Sequence, residues 1–193
     1  MASAGSPDAL RPPPAWASAT GLVSLPPESV EVPPLVHQRL VDRLHRYCWG
    51  FDERNVDVLA DCFTADGSWA GDSMGETKIG PFEGREAVVA WLTRYWDHQR
   101  DQRRHVVTNV VVTACSDDEA TLLSYLLLFG SKQAASRLES IGLYRLDCRR
   151  EGEQWRIASL NAGFDSPFWR REVTALSPEA RDLFGVAAEG VAT

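Results

Sequence analysis

Apolar residues recur at helical spacing from residue 35 onward: Val36, Leu40, Leu44, Tyr47 and Phe51 fall along one face, with Arg39, Asp42, Arg43 and Arg46 between them. A period near 3.6 with charges on the far side predicts a long amphipathic first helix. A second, short helix is expected from Asn55, a capping residue, through Val58, Leu59 and Cys62 to Phe63. Asp66-Gly67 then reads as a turn, and Ser68-Trp69-Ala70 as the start of a first short strand. Past the Gly80-Pro81 break and a short Phe82-Glu83 stretch, Ala87, Val88, Trp91, Leu92 and Tyr95 share one face and predict a third helix from Gly84 to about Gln99.

From residue 104 the period shortens to two. Strands are expected over about 104–114, 119–130, 138–149 and 154–164, joined by polar turns such as Ser116-Asp117-Asp118 and Arg150-Glu151-Gly152. Connections this short join antiparallel neighbours. Helices followed by consecutive strands predict an α+β fold, a cone-shaped curved antiparallel sheet wrapped around three N-terminal helices, with a pocket at its mouth.

Composition refines the boundaries. Eight of the eleven prolines fall before residue 35, mixed with Ala and Ser, so residues 1–33 read as a flexible arm in which helices and ladders are disfavoured. Residues 34–170 form the domain and 171–193 a helical appendage, with Ser166-Pro-Phe-Trp-Arg170 as a lid or subunit contact. A net charge of −7 argues against nucleic acid as a partner. No apolar run approaches the roughly 20 residues that span a bilayer, and the amino terminus lacks a secretory pattern, so a cytoplasmic protein with no membrane partner is expected. Cys48, Cys62, Cys115 and Cys148 form no C-x-x-C pair and read as small core residues, with no metal expected.

His105 opens the run His105-Val-Val-Thr-Asn-Val-Val-Val-Thr113, where alternation puts it on the face of Val107, Asn109, Val111 and Thr113. An imidazole on a pocket wall shuttles protons near neutral pH, while a rim histidine bonded to a backbone group fits the residues equally. Asp52 ends the first helix, where the negative end of the helix dipole disfavours a carboxylate, so local helix energetics do not explain it. It also reads as the first residue of an Asp-Glu-Arg-Asn connector.

Tyr47-Cys-Trp-Gly-Phe-Asp52, Leu59-x3-Phe63-x2-Asp66-Gly-x-Trp69, Gly84-Arg-Glu-Ala87, Arg104-His105-x3-Asn109, Gly142-x-Tyr144-Arg-x-Asp147 and Trp155-Arg-Ile157 occur in this order. Over roughly residues 35–168 the sequence resembles the polyketide-cyclase-like (SnoaL-like) branch of the nuclear transport factor 2-like superfamily, with relatives such as scytalone dehydratase, the bile acid dehydratases and hexachlorocyclohexane dehydrochlorinase. The resemblance implies a cofactor-independent dehydratase or cyclase acting on an apolar, polyketide-like or polycyclic small molecule. It implies His105 as general base, Asp52 as its acidic partner and Tyr47 as a leaving-group ligand. Trp49, Trp69, Asn109, Tyr125 and Tyr144 are the expected substrate contacts, with Trp91 and Trp96 near the pocket; Arg103 and Arg104 either anchor an anionic substrate or pair with Asp101 and acidic neighbours on the surface, and the surface pairing is the expectation. A homo-oligomer, dimer or trimer, is expected because exposed sheet faces attract partners. The competing reading is a ligand-binding or assembly module on the same scaffold. A hydrolase resembling limonene epoxide hydrolase, which needs an Asp-Arg-Asp relay, fits poorly.

Overall fold

The structure, a computed structural model, describes residues 14–74 and 77–165. The expected lid at 166–170, the appendage and the first part of the arm lie outside the described residues.

Four helices occur among them: α1 (Trp16–Ala19), α2 (Pro34–Asp52), α3 (Val56–Asp61) and α4 (Arg85–Trp96). Pro34 starts α2 with a backbone angle already suited to helix, and Leu40, Leu44, Tyr47, Cys48 and Phe51 form its buried stripe. Arg54, at φ +52°, turns the chain after α2, and the Asn55 side chain accepts the Val58 amide at 3.1 Å to cap α3. Helix α4 buries Val88, Trp91, Leu92, Tyr95 and Trp96.

The strands are β1 (Phe63–Ser73), β2 (Thr77–Glu83), β3 (Gln102–Cys115), β4 (Glu119–Lys132), β5 (Ala135–Glu151) and β6 (Gln154–Phe164). They form one curved, mixed sheet in the order β2-β1-β6-β5-β4-β3. The expectation of a wholly antiparallel sheet needs one correction: β1 runs parallel to β6, while every other pair is antiparallel. A sequence reading follows turns between neighbours, and this pair has no turn, being brought together only when the last strand arrives. Asp66-Gly67 is not a turn either, but lies inside β1 where its register on β6 shifts between Phe63 and Ser68. The Gly80–Pro81 peptide is cis and lies within β2, a strand that the hydrophobic pattern does not predict. Strand β2 is an edge with β1 as its one neighbour, the setting in which a residue lacking an N–H is tolerated.

The main core fills the space between sheet and helices, drawing Leu40, Leu44, Leu59, Phe63, Leu122, Leu126, Leu146, Ile157 and Leu160 from both layers. A smaller cluster, Trp16, Ala17, Met74 and Leu143 with Leu22 and Val23, joins the arm to the sheet. Thus the arm, expected to be flexible and without helix, makes one helical turn at α1, and the Trp16 indole donates to Asp165 Oδ1 at 2.6 Å. Burial of Trp16 and Ala17 offsets the poor local propensity there. Strands β5 and β6 press together at Gly142, where an added Cβ would overlap the Gly163 carbonyl oxygen. Among the described residues no helix is long and apolar enough to cross a membrane.

Candidate active site

Asp52 is the last residue of α2, and β3 starts against that helix end, where the Gln102 side-chain amide donates to the Asp52 carbonyl at 2.9 Å and satisfies an orphan helical acceptor. The Asp52 carboxylate then uses both oxygens on one residue: Oδ2 accepts the His105 backbone N–H at 2.8 Å, and Oδ1 bonds His105 Nδ1 at 2.6 Å. Both side chains are buried, at 6% and 7% exposure. The two bonds offset the unfavourable dipole at the helix end and lock ring and strand together. With Nδ1 donating to the carboxylate, the lone pair lies on Nε2, the ring nitrogen Asp52 leaves unengaged.

Aromatic rings surround the imidazole. Phe51 meets it edge-on at 5.2 Å between centroids, Tyr144 stacks on it at 6.3 Å and Tyr47 lies at 6.5 Å. The Tyr47 oxygen accepts the Trp69 indole N–H at 3.1 Å, and the Tyr47 and Tyr144 hydroxyls are hydrogen-bonded to one another.

Burial is the first cause that raises the phenol pKa of Tyr47 and Tyr144, and it pushes Tyr95 up to about 12 against the pull of Arg103. These folded-state values exceed the unfolded value of about 10, so stability fully present below pH ~10 is lost as pH rises above it. Each of the three tyrosines adds about 1.4 kcal/mol of loss per pH unit in that window, and the buried thiols of Cys48, Cys62 and Cys148, also raised by burial, add to it. Urea unfolding between pH ~9 and ~11 is expected to show this decline, shallower in Tyr95→Phe. An identical slope in that variant would contradict the assignment.

His105 and Tyr47 face one hollow between sheet and helices, a cavity of about 60 Å³ that opens to solvent. Its walls are largely aromatic and aliphatic, from Phe51, Trp69, Trp91, Tyr95, Tyr144, Leu126 and Phe164. Asp52 stands behind the imidazole and does not line the hollow. Among the described residues no group of three or more His, Cys, Asp or Glu is placed to hold a metal ion.

Of the residues singled out from the sequence, Asp52, His105, Tyr47, Trp69 and Tyr144 come together here, and three do not. Trp49 is 62% exposed, two residues from Tyr47 and therefore on the far side of α2. Asn109 is exposed at φ +53°, at a bulge where the β3–β4 register shifts between Thr108 and Val111. That bulge reverses the alternation, so Val112 is buried and Val111 exposed, and the face shared with His105 ends at Val107. Tyr125, 57% exposed, points away from the core between inward-facing Ser124 and Leu126. Trp91 lines the hollow, whereas Trp96 packs behind Phe51 at 5.8 Å. Arg103, expected on the surface, is 3% exposed and lines the hollow. A signal for this exists in the sequence: Arg103 stands two residues before His105 on the same strand face.

The sequence profile of the SnoaL-like domain matches residues 37–161. The fold is similar to that of a nuclear transport factor 2-like protein with a cystatin-like fold from Novosphingobium aromaticivorans (18% identity, 76% of this chain and 87% of that one, TM-score 0.56). It is also similar to Aln2 from a Streptomyces species (19% identity, 74% and 95% covered, TM-score 0.59) and to a Mycobacterium tuberculosis protein of unknown function (22% identity, 79% and 89% covered, TM-score 0.60). At such identities the likeness establishes the fold alone. No curated protein matches the chain.

Proposed function

The chain belongs to the family of SnoaL-like domains, and from that premise we propose that it is an acid–base catalyst, a dehydratase or cyclase acting on a flat, apolar, carbonyl-bearing small molecule. The observation that carries this reading is the two-point clamp of Asp52 on His105 at the wall of an aromatic hollow.

In the proposed reaction His105 Nε2 takes a proton from carbon beside a carbonyl. The C–H electron pair moves onto the carbonyl oxygen, and the Tyr47 hydroxyl donates a hydrogen bond to the enolate so formed. The imidazolium is stabilised by Asp52. As the enolate collapses it either expels a hydroxyl from the next carbon, which leaves as water with the proton held on His105, or attacks a second carbonyl carbon of the same molecule, whose oxygen takes that proton. The first course is dehydration and the second ring closure; both return the enzyme to its starting state. General acid–base catalysis contributes about 10² to 10⁴-fold, so alignment by the aromatic walls supplies the rest.

Proton abstraction is testable without the natural substrate. Aromatic methyl ketones such as 2-acetylnaphthalene, incubated with the protein in deuterated buffer, are expected to take up deuterium at the carbon beside the carbonyl, followed by NMR. A set of such ketones that bind yet exchange no faster than in buffer would overturn the reading.

A further inference from the structure

The sheet carries a second apolar surface, on the side turned away from the helices. Residues paired across a ladder share a face, so the register assembles this surface row by row over β3, β4 and β5. Val106, Leu127 and Ile141 form one row, and Thr108, Tyr125 and Leu143 the next. At Leu143 the chain's own arm covers the face with Trp16, Ala17 and Leu22. Towards β3 the surface opens: Tyr125 is 57% exposed, Val106 45% and Ile141 41%. Single exposed apolar side chains are ordinary, whereas a contiguous group in neighbouring rows marks an interaction surface.

We propose that this face is the interface between two copies of the chain, related by a twofold axis that lies between the two faces over the middle of β4. A twofold interface sets one patch against itself, so the patch must suit its own copy. Charge meets that condition. The two rows hold no charged side chain, and each border carries a cation already paired with an anion: Arg104 with Glu53 at 2.7 Å beside Phe129, and Arg145 with Asp147 at 3.1 Å beside Leu123. Any twofold operation therefore lays neutral pairs on neutral pairs. A partner recognised through charge, such as a basic or acidic peptide, finds no surplus of either sign to steer it.

Shape and extent meet it as well. Val, Leu, Ile and Tyr side chains on a pleated surface interdigitate with a like surface when two sheets stack about 10 Å apart. From the Arg104 border to the Arg145 border the face spans three strands and measures roughly 25 Å by 15 Å. That extent supplies the apolar centre of an interface of about 800 Å² a side, with the paired charges as its polar rim. The pairing also braces β3 from behind, since Val106 follows His105 and points to the opposite side of the strand.

Multi-angle light scattering of the full chain is expected to give twice its mass of 21.4 kDa. Each substitution enters a twofold interface twice, so Tyr125→Glu, which buries two carboxylates near the axis, is expected to raise the dissociation constant by about 100-fold or more and to give the single-chain mass. Trp49→Glu replaces an aromatic that is 62% exposed on the far side of α2, and is expected to keep the doubled mass. Circular dichroism shows whether the Tyr125 variant is folded. If it is not, the unaltered protein still provides a test, because linked association makes its melting temperature rise with protein concentration. A single-chain mass for the unaltered protein, a melting temperature that ignores concentration, or a doubled mass that persists in folded Tyr125→Glu would overturn the proposal, as would a mass of three or more chains.

Discussion

His105→Ala is expected to reduce deuterium uptake by 2-acetylnaphthalene to the buffer rate, and Asp52→Asn to lower it by about 10² to 10⁴-fold, with binding of the ketone to the asparagine variant changed by less than about threefold. The alanine variant removes the base outright. The asparagine variant acts through the proton's position. In the native protein both Asp52 oxygens accept from His105, one from the backbone N–H and one from Nδ1. An Asn side chain has one acceptor and one donor group. If its oxygen keeps the backbone N–H, its NH₂ faces Nδ1, which must then accept, and the ring proton moves to Nε2. The imidazole is left in place but presents a donor where the reaction needs a lone pair. Ketone affinity holds because Asp52 stands behind the ring, away from the hollow. Full exchange in both variants would end the catalytic assignment.

Gly142→Ala is expected to be the most damaging single methyl in the domain. A Cβ there would overlap the carbonyl oxygen of Gly163. The clash is with backbone on a paired strand, so relief requires β5 and β6 to separate. Overpacking of this kind costs about 3 kcal/mol or more, a fall in Tm of about 10 °C or more. Gly152→Ala is the control: φ is +63° but the added Cβ meets nothing, so only about 1 kcal/mol of backbone strain is expected. Circular dichroism melts of the two variants check this, and a Gly142→Ala melt no lower than that of Gly152→Ala would contradict the packing argument.

What can be read from residues alone is what local periodicity encodes. The α2 stripe from Leu40 to Phe51, the Asn55 cap and the four late strands all follow from spacing within a few residues. Asp52 and His105 meet because α2 ends where β3 begins, a long-range fact that spacing cannot supply and that only the family resemblance suggests. Errors arise where local and global order part. Alternation misplaces Asn109 because a bulge reverses a strand's faces without leaving a mark in the hydrophobic pattern Val-Thr-Asn-Val-Val-Val. Strand β2 escapes a sequence reading because its Gly-Pro pair signals a break, and an edge position removes the penalty behind that signal. Arg103 reads as a surface cation because long charged side chains usually are, and its burial goes with the buried carboxylate of Asp101 that pairs with it.

The parallel seam between β1 and β6 also sets a timetable for the nascent chain. As residues leave the ribosome in order, β1 finds β2 at once, but its other edge has no mate until Gln154–Phe164 emerges. Throughout that interval one rim of the growing sheet is an open template for a neighbouring polypeptide, and Phe164, a wall of the hollow, is still to come. A polypeptide released early therefore carries Asp52 and His105 without the complete wall of the hollow.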